Sequence, residues 1–335
     1  MIFVGTGAIH ARDEILELAE LIDAPVVAFR SGRGIVSNAH ELGLTMAAAY
    51  RLWPNTDLMI GIGTRLELPT MTRWPYRPDG LKCVRIDIDP AEMRRYPADA
   101  AVISDAKAGA SELLAAVRKR GYNRTSGRRT AIREASAAAL KEIQQIQPQM
   151  AYLNILREVL PANAIVTDEV SQVGFASWYG FPIYEPRTFI TSGYQGTLGS
   201  GFPTALGAKV ANPDRPVVAI TGDGGFMFGV QELATAVQYN IGVVTLVFNN
   251  NAYGNVRRDQ RMRFDGRVVA SDLVNPDFVK LAESFGVAAS RVTSPDHFRP
   301  ALEKALAHGG PYLVAIEVPK DSETTPWTFI HPARA

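Results

Sequence analysis

A carboxylate and an amide follow two successive predicted strands of this chain. Asp223 comes directly after the apolar run VVAITG, within Gly222-Asp223-Gly224-Gly225, and Asn249-Asn250 follow the run VVTLVF. Asp223 and Asn250 are 27 positions apart, a distance filled by a predicted helix and the second strand. Because parallel strands end at the same edge of a sheet, we expect the two side chains to lie close together. Carboxylate and amide oxygens are ligands that Mg²⁺ prefers, usually together with phosphate oxygens.

The glycines around Asp223 suit an anion. Gly224 and Gly225 lack side chains, so their backbone N–H groups can approach phosphate oxygens, next to the N-terminus of a helix. A GDG turn or an Asn pair alone is common in proteins. Together, across a strand–helix–strand, they predict a site for a magnesium-bound diphosphate.

Two segments with alternating strand and helix patterns must position these residues. The first covers residues 1–120, and its strand candidates are IFVGTG, PVVAF, DLMIGIG and VRIDID. The second covers residues 151–325, with AIVTD, RTFIT, PVVAITGDG, GVVTLVFNN, GVAASRV and YLVAIEV. Apolar runs joined by helical stretches are typical of parallel sheets with crossover helices. We therefore predict an α/β fold of two doubly wound domains, with mostly parallel sheets and helices on both faces.

Residues 121–150 differ from both segments. Arg and Ala dominate this stretch, and apolar strand patterns are missing. We predict a linker with one exposed helix, whose basic side chains face solvent rather than nucleic acid. Further along, Asn275 or Asp277 is the predicted cap of a helix beginning near Pro276.

Composition excludes several classes of protein. The 335 residues carry 35 Lys and Arg against 34 Asp and Glu, which argues against a general nucleic-acid binder. With 47% hydrophobic and 21% charged residues, the chain is typical of globular proteins. The single cysteine, Cys83, excludes a disulfide framework and a four-cysteine metal site. Neither a secretion signal nor a long apolar span is recognisable, so we expect a cytoplasmic protein without a membrane partner.

The glycines of IFVGTGAIH invite a dinucleotide interpretation. Gly5 and Gly7 follow a strand, but His10 stands where the fingerprint needs a third small residue. The second strand ends at Arg30 instead of the acid that binds ribose. We therefore favour a tight turn over an NAD site, and a nucleotide-dependent oxidoreductase remains the less favoured alternative. A phosphate-binding loop ending in Gly-Lys-Ser/Thr does not occur in the chain.

The GDG…NN motif resembles the diphosphate-binding motif of thiamine-diphosphate enzymes. The whole chain resembles the acetolactate synthase and benzoylformate decarboxylase group of that family. Residues 1–120, including the run Val84–Met93, are similar to its middle domain, and residues from 151 onward to its diphosphate-binding domain. The resemblance implies thiamine diphosphate and Mg²⁺ as cofactors. FAD is possible on the middle domain, since some members hold a flavin there, but no residue indicates it.

The resemblance also implies roles for individual residues. The metal ligands would be Asp223, Asn250 and the backbone carbonyl of Ala252, and Leu198 would lie beneath the cofactor and hold it bent. The other residues implied to bind the cofactor are Gly196, Thr197, Gly222, Gly224, Gly225, Tyr253 and Gly254. On the substrate side, the DEVSQVGF stretch offers Glu169, Ser171 and Gln172. Acetolactate synthases carry Gln and His near the last two positions, so the resemblance leaves the identity of the substrate open.

The family implies decarboxylation and/or carboligation of a 2-oxo acid. Its activating glutamate lies on an N-terminal pyrimidine-binding domain, which nothing in this chain resembles. Since Met1 is followed at once by a strand, we expect a fragment, a late start or one half of a split enzyme. The missing domain would act in cis or in trans, in a homodimer or homotetramer, and this chain alone would be inactive. The alternative is a non-catalytic cofactor-binding fragment or relic.

Overall fold

The computed structural model describes residues 1–70, 74, 77–122, 127–193 and 195–327. The chain forms two compact units. The first unit contains Met1–Ile143 and Pro182–Arg187, and the second contains Gln144–Phe181 and Thr188–Pro326. In the described part of the chain, no helix is long and apolar enough to cross a membrane.

The first unit is built on a six-stranded parallel sheet with the order β3-β2-β1-β4-β5-β6. The strands are β1 (Ile2–Val4), β2 (Val26–Ala28), β3 (Gly43–Leu44), β4 (Leu58–Ile62), β5 (Lys82–Asp87) and β6 (Ala100–Ile103). The strand order reverses between β1 and β4, as in doubly wound folds. This confirms the predicted class of the first segment. Short β3 and the exposed edge strand β6 carry too weak an apolar pattern to be recognised in the sequence.

Helices cover both faces of this sheet. They are α1 (Arg12–Ile22), α2 (Met46–Leu52), α3 (Glu67–Thr70), α4 (Pro90–Arg95), α5 (Ala106–Lys119) and α6 (Arg128–Ile143). Local residues define several of their starts. Asp89 accepts the Ala91 N–H ahead of α4, and Asp105 accepts the Lys107 N–H ahead of α5.

The helix predicted within the 121–150 linker is α6. It belongs to the first unit and packs against α2. Ile132, Ala135, Ala139 and Ile143 are buried along one side, four residues or so apart. In the structure, the first compact unit extends to Ile143. Alanines made this face hard to recognise, since they fill a close helix contact without a strong apolar pattern.

The glycines after β1 are explained by a close backbone contact. A Cβ on Gly5 would lie 2.5 Å from the Gly63 carbonyl oxygen, and one on Gly7 would lie 3.1 Å from the same atom. The two chain turns that follow β1 and β4 therefore touch through backbone atoms. A tight turn accounts for both glycines without a dinucleotide.

The second unit has a six-stranded parallel sheet with the order β11-β12-β10-β9-β7-β8. Its strands are β7 (Ile165–Asp168), β8 (Phe189–Ile190), β9 (Val217–Gly222), β10 (Val244–Asn249), β11 (Ala288–Val292) and β12 (Tyr312–Glu317). Its helices are α7 (Gln149–Val159), α8 (Gln172–Gly180), α9 (Gly201–Ala211), α10 (Asp223–Phe226), α11 (Glu232–Gln238), α12 (Gly254–Arg263), α13 (Phe278–Ser284) and α14 (Phe298–Ala307). All six predicted strands are present. Asp277, not Asn275, caps α13 by accepting the Val279 and Lys280 N–H groups.

Central strands β9 and β10 determine where the functional residues lie. Both are buried along nearly their whole length, as expected of parallel strands covered on two faces. Their register pairs Gly222 with Phe248, so Asp223 and Asn249 emerge side by side. This confirms the expectation that the two polar clusters meet at one edge of the sheet.

Candidate functional site

Asp223 is a buried carboxylate directly after β9. It is 3% exposed, and its Oδ2 accepts a hydrogen bond from Asn275 Nδ2 at 2.7 Å and a longer one from the Ala252 N–H at 3.3 Å. Burial raises the pKa of Asp223, and hydrogen bonds from the Gly224 N–H and Asn275 oppose that shift. A carboxylate held this way gains from a nearby cation, which would offset the cost of burying its charge.

Asn250 lies beside this carboxylate. Its Oδ1 accepts the Ala252 N–H at 3.1 Å, so Asp223 and Asn250 direct oxygens at the same N–H group. Its Nδ2 donates to Glu323 Oε2 at 2.6 Å. The structure thus brings together two side-chain oxygens, each from a residue that follows a different strand.

The chemistry of these donors suits a hard cation. In the described residues, no group of three or more His, Cys, Asp or Glu side chains could hold a metal ion. A metal at this edge would therefore need the mixed set of Asp223, Asn250 and a backbone carbonyl such as that of Ala252, completed by ligand oxygens. That set is typical of Mg²⁺ shared with a phosphate group.

The glycine turn beside Asp223 leaves no room for side chains. A Cβ on Gly224 would lie 2.5 Å from Cε1 of Tyr253, and one on Gly225 would lie 2.4 Å from Cδ of Glu169. Next to this turn is a cavity of about 150 Å³. Among the residues that line it are Ser171, Gln172, Leu198, Gly222, Asp223, Gly224, Gly225, Asn250, Ala252, Tyr253, Gly254 and Glu323. Most of the residues predicted to bind the cofactor therefore share one cavity.

Leu198 enters the cavity from a glycine-rich turn. Gly196 and Gly199 have φ angles of 62° and 83°, a region that favours glycine, and these two bends place Leu198 between them. Leu198 is partly buried and lines the cavity, whereas Gly196 and Thr197 lie in the same turn without lining it. An apolar side chain is thus available at the wall of the cavity.

Glu169 lies beneath both turns. It is 1% exposed, its Oε1 accepts the Gly199 N–H, and its Oε2 has no hydrogen-bond partner among the described residues. Burial raises its pKa to about 7, partly offset by the hydrogen bond from Gly199. With so little surface, Glu169 supports the two turns from below and has almost none to offer a substrate.

The other two predicted substrate-side residues, Ser171 and Gln172, differ in the hydrogen bonds that their side chains already make. Ser171 caps α8, because its Oγ accepts the Gly174 N–H at 3.1 Å. Gln172 is 8% exposed, and its Oε1 has no partner within the described residues. Gln172 lines both the 150 Å³ cavity and a neighbouring cavity of about 290 Å³ that also contains Arg258. Gln172 is therefore the predicted residue with an amide left to bind a ligand.

Two further residues of the site were missed from the sequence. Asn275 binds Asp223, although its position before α13 suggested only a cap. Glu323 follows β12, and burial raises its pKa to about 7, with the hydrogen bond from Asn250 opposing that shift and the charge of Asp223 adding to it. Neither residue belongs to a motif, because their partners are 52 and 73 positions away.

The first unit contains a larger cavity of about 500 Å³ at the carboxyl ends of its central strands. Gly5, Gly7, Arg30, Gly63 and Asp87 are among the residues that line it. Arg30 pairs with Glu67 at 2.9 Å, so the end of β2 presents a cation where the nicotinamide fingerprint has an acid. FAD binding in this unit stays a prediction from the family resemblance.

Comparison with known families matches both units. Residues 1–113 match the family described as "Thiamine pyrophosphate enzyme, central domain". Residues 169–316 match "Thiamine pyrophosphate enzyme, C-terminal TPP binding domain". The second match begins at Glu169 and includes the cavity residues up to β12.

Curated proteins similar to the chain carry related names. A probable acetolactate synthase large subunit of Methanocaldococcus jannaschii is 36% identical over 95% of this chain and 57% of its own length. The acetolactate synthase large subunit of Haemophilus influenzae is 31% identical over 92% of the chain and 56% of its own length. A probable 2-ketoarginine decarboxylase of Pseudomonas aeruginosa is 29% identical over 94% and 57%. The chain therefore spans little more than half the length of these relatives.

Proposed function

The chain belongs to the thiamine pyrophosphate enzymes, and from that premise we propose that its second unit binds thiamine diphosphate through Mg²⁺. The enzyme of which it is part would decarboxylate a 2-oxo acid, join it to a second carbonyl compound, or do both. One observation carries the proposal: Asp223 Oδ2 and Asn250 Oδ1 accept the same Ala252 N–H at the edge of a cavity that also contains Leu198.

Seven of the residues that line the cavity have a task in this proposal. Asp223, Asn250 and the Ala252 carbonyl would hold the metal. The Gly225 N–H would bind a phosphate oxygen, and so would the Gly224 N–H once a metal replaces it at the Asp223 carboxylate. Leu198 would support the cofactor from below. When bound, thiamine diphosphate would supply the carbon centre that attacks the substrate carbonyl and would store the electron pair that the departing CO₂ leaves behind. Gln172 is the residue we expect to contact the substrate.

Activation needs a group outside the matched domains. We propose that a pyrimidine-binding domain with the activating glutamate comes from a longer chain or from a second subunit, in a homodimer or homotetramer. Two facts support this: the chain matches only the central and C-terminal domains, and it spans 57% of the Methanocaldococcus relative. The chain alone should then bind cofactor but show little or no turnover of 2-oxo acids.

Thermal unfolding of the purified chain tests the proposed cofactor site. Thiamine diphosphate with MgCl₂, at about 100 times the dissociation constant, should add about 2.7 kcal/mol to the free energy of unfolding. This gain corresponds to a rise in Tm of roughly 5–11 °C. Asp223→Ala should remove this shift, because it removes a metal ligand. Asp214→Ala, which removes an exposed carboxylate from a loop, should keep it.

Two results would contradict the proposed function. One is a parent chain whose Tm does not respond to cofactor and metal at millimolar concentration. The other is an Asp223→Ala chain that responds as strongly as the parent, since binding would then occur elsewhere. If the parent does respond, adding the pyrimidine domain of a relative in trans should produce CO₂ from a 2-oxo acid, whereas a non-catalytic relic would stay inactive.

A further inference from the structure

The segment after β12 returns to the proposed metal site. Glu323 lies in this segment and lines the 150 Å³ cavity and the neighbouring 290 Å³ cavity. Its Oε2 accepts a hydrogen bond from Asn250 Nδ2 at 2.6 Å. A carboxylate that is not itself one of the proposed ligands thus contacts the amide that is.

This contact determines which end of the Asn250 amide faces the metal position. An amide has one donor end and one acceptor end, and Oε2 of Glu323 accepts from the donor end of Asn250. With Nδ2 directed at Glu323, Oδ1 lies on the other side, where it accepts the Ala252 N–H together with Asp223. A flipped amide would set two oxygens against each other and present N–H groups to a cation.

Glu323 is held in place by its neighbours in the chain. Both carboxylate oxygens of Asp321 accept from Nη1 of Arg257, at 2.7 and 2.6 Å. Thr325 Oγ1 accepts from Arg258 at 2.6 Å, and the Thr324 carbonyl accepts from Gln149 at 2.8 Å. Because the chain is anchored on each side, the carboxylate does not have to be ordered when a metal binds.

We infer that Glu323 is a positioning residue for the metal site: it holds the Asn250 amide with Oδ1 toward the position shared with Asp223. This inference rests on the proposed function, since it concerns the same metal site. Partners that orient metal ligands typically contribute 10- to 100-fold to metal affinity. Asn275, which donates to Asp223 Oδ2 at 2.7 Å, holds the other side-chain ligand in a comparable way.

Titration with Mn²⁺ as a spectroscopic substitute for Mg²⁺ tests the role of Glu323. The full chain is held with excess thiamine diphosphate, and bound Mn²⁺ is measured by electron paramagnetic resonance. Glu323→Ala should raise the Mn²⁺ midpoint about 10- to 100-fold, because the Asn250 amide is then free to rotate. Glu323→Gln should stay within about threefold of the parent, since its amide oxygen can still accept from Nδ2.

Glu303→Ala serves as the charge control. Glu303 lies on α14, has a 56% exposed side chain and lines neither cavity, so its removal should leave the midpoint unchanged. An unchanged midpoint in Glu323→Ala would overturn the inference. A Glu323→Gln variant that binds Mn²⁺ as weakly as Glu323→Ala would also overturn the inference. Binding would then need the charge itself, and Glu323 would act as a metal ligand. A parent chain that takes up no Mn²⁺ would overturn the proposed metal site and this inference with it.

Discussion

At pH 8, Glu169→Gln should be more stable than the parent chain by up to about 3 kcal/mol. The physical reason is the burial of Glu169, which raises its pKa from 4.5 to about 7 in the folded chain. Between these values the unfolded chain has lost a proton that the folded chain still holds. The contribution of Glu169 to the free energy of unfolding is therefore fully present below pH 4.5, and it is lost as pH rises through 7. The substituted amide carries no charge at any pH, so the variant avoids this loss.

Calorimetry of the full chain at pH 5 and pH 8 measures this difference, on the transition that thiamine diphosphate shifts. The gain of the variant should be largest at pH 8 and small at pH 5. Glu303→Gln, on the exposed face of α14, should stay within about 0.5 kcal/mol of the parent at both pH values. A gain from Glu169→Gln that is equal at pH 5 and pH 8 would show that Glu169 does not hold a proton in the folded chain.

Gly225→Ala should lower the free energy of unfolding by about 1–3 kcal/mol and weaken binding of thiamine diphosphate. The added Cβ would lie 2.4 Å from Cδ and from Oε1 of Glu169. Because Glu169 is buried and holds the Gly199 N–H, it cannot move aside without disturbing the turn that carries Leu198. Both walls of the cavity should therefore shift. Urea unfolding and calorimetric titration with the cofactor measure the two effects.

Removal of the obstructing side chain provides the sharpest check. In the double variant Glu169→Ala/Gly225→Ala, the effects of the two substitutions on the free energy of unfolding should be non-additive by about 1 kcal/mol or more. The reason is that loss of the Glu169 side chain relieves its clash with the new Cβ. Gly207→Ala is the matched control. It lies on the exposed side of α9 with no atom within 4 Å of the new Cβ, so it should stabilise the helix by about 0.5–1 kcal/mol. Strictly additive effects at positions 169 and 225 would mean that the side chain and the turn do not compete for space.

The fold and the closeness of Asp223 and Asn250 could be predicted because they depend on local patterns. Buried parallel strands appear as apolar runs, and β9 and β10 end directly before Asp223 and Asn250. Parallel pairing then brings consecutive strand ends to one edge, whatever the rest of the chain does. The resemblance to thiamine-diphosphate enzymes added Leu198, which the structure brings into the same cavity.

Only the tertiary structure decided which side chains support Asp223 and Asn250. Glu323 and Asn275 reach their partners across 73 and 52 positions, and no local pattern encodes such a contact. Burial likewise depends on everything packed around a residue, which is why Glu169 looked like a substrate contact in the sequence and lies 1% exposed beneath two turns. The sequence by itself determined the chemistry at the strand ends, because covalent neighbours and strand direction suffice for it. Long-range packing decided how that chemistry is held in place.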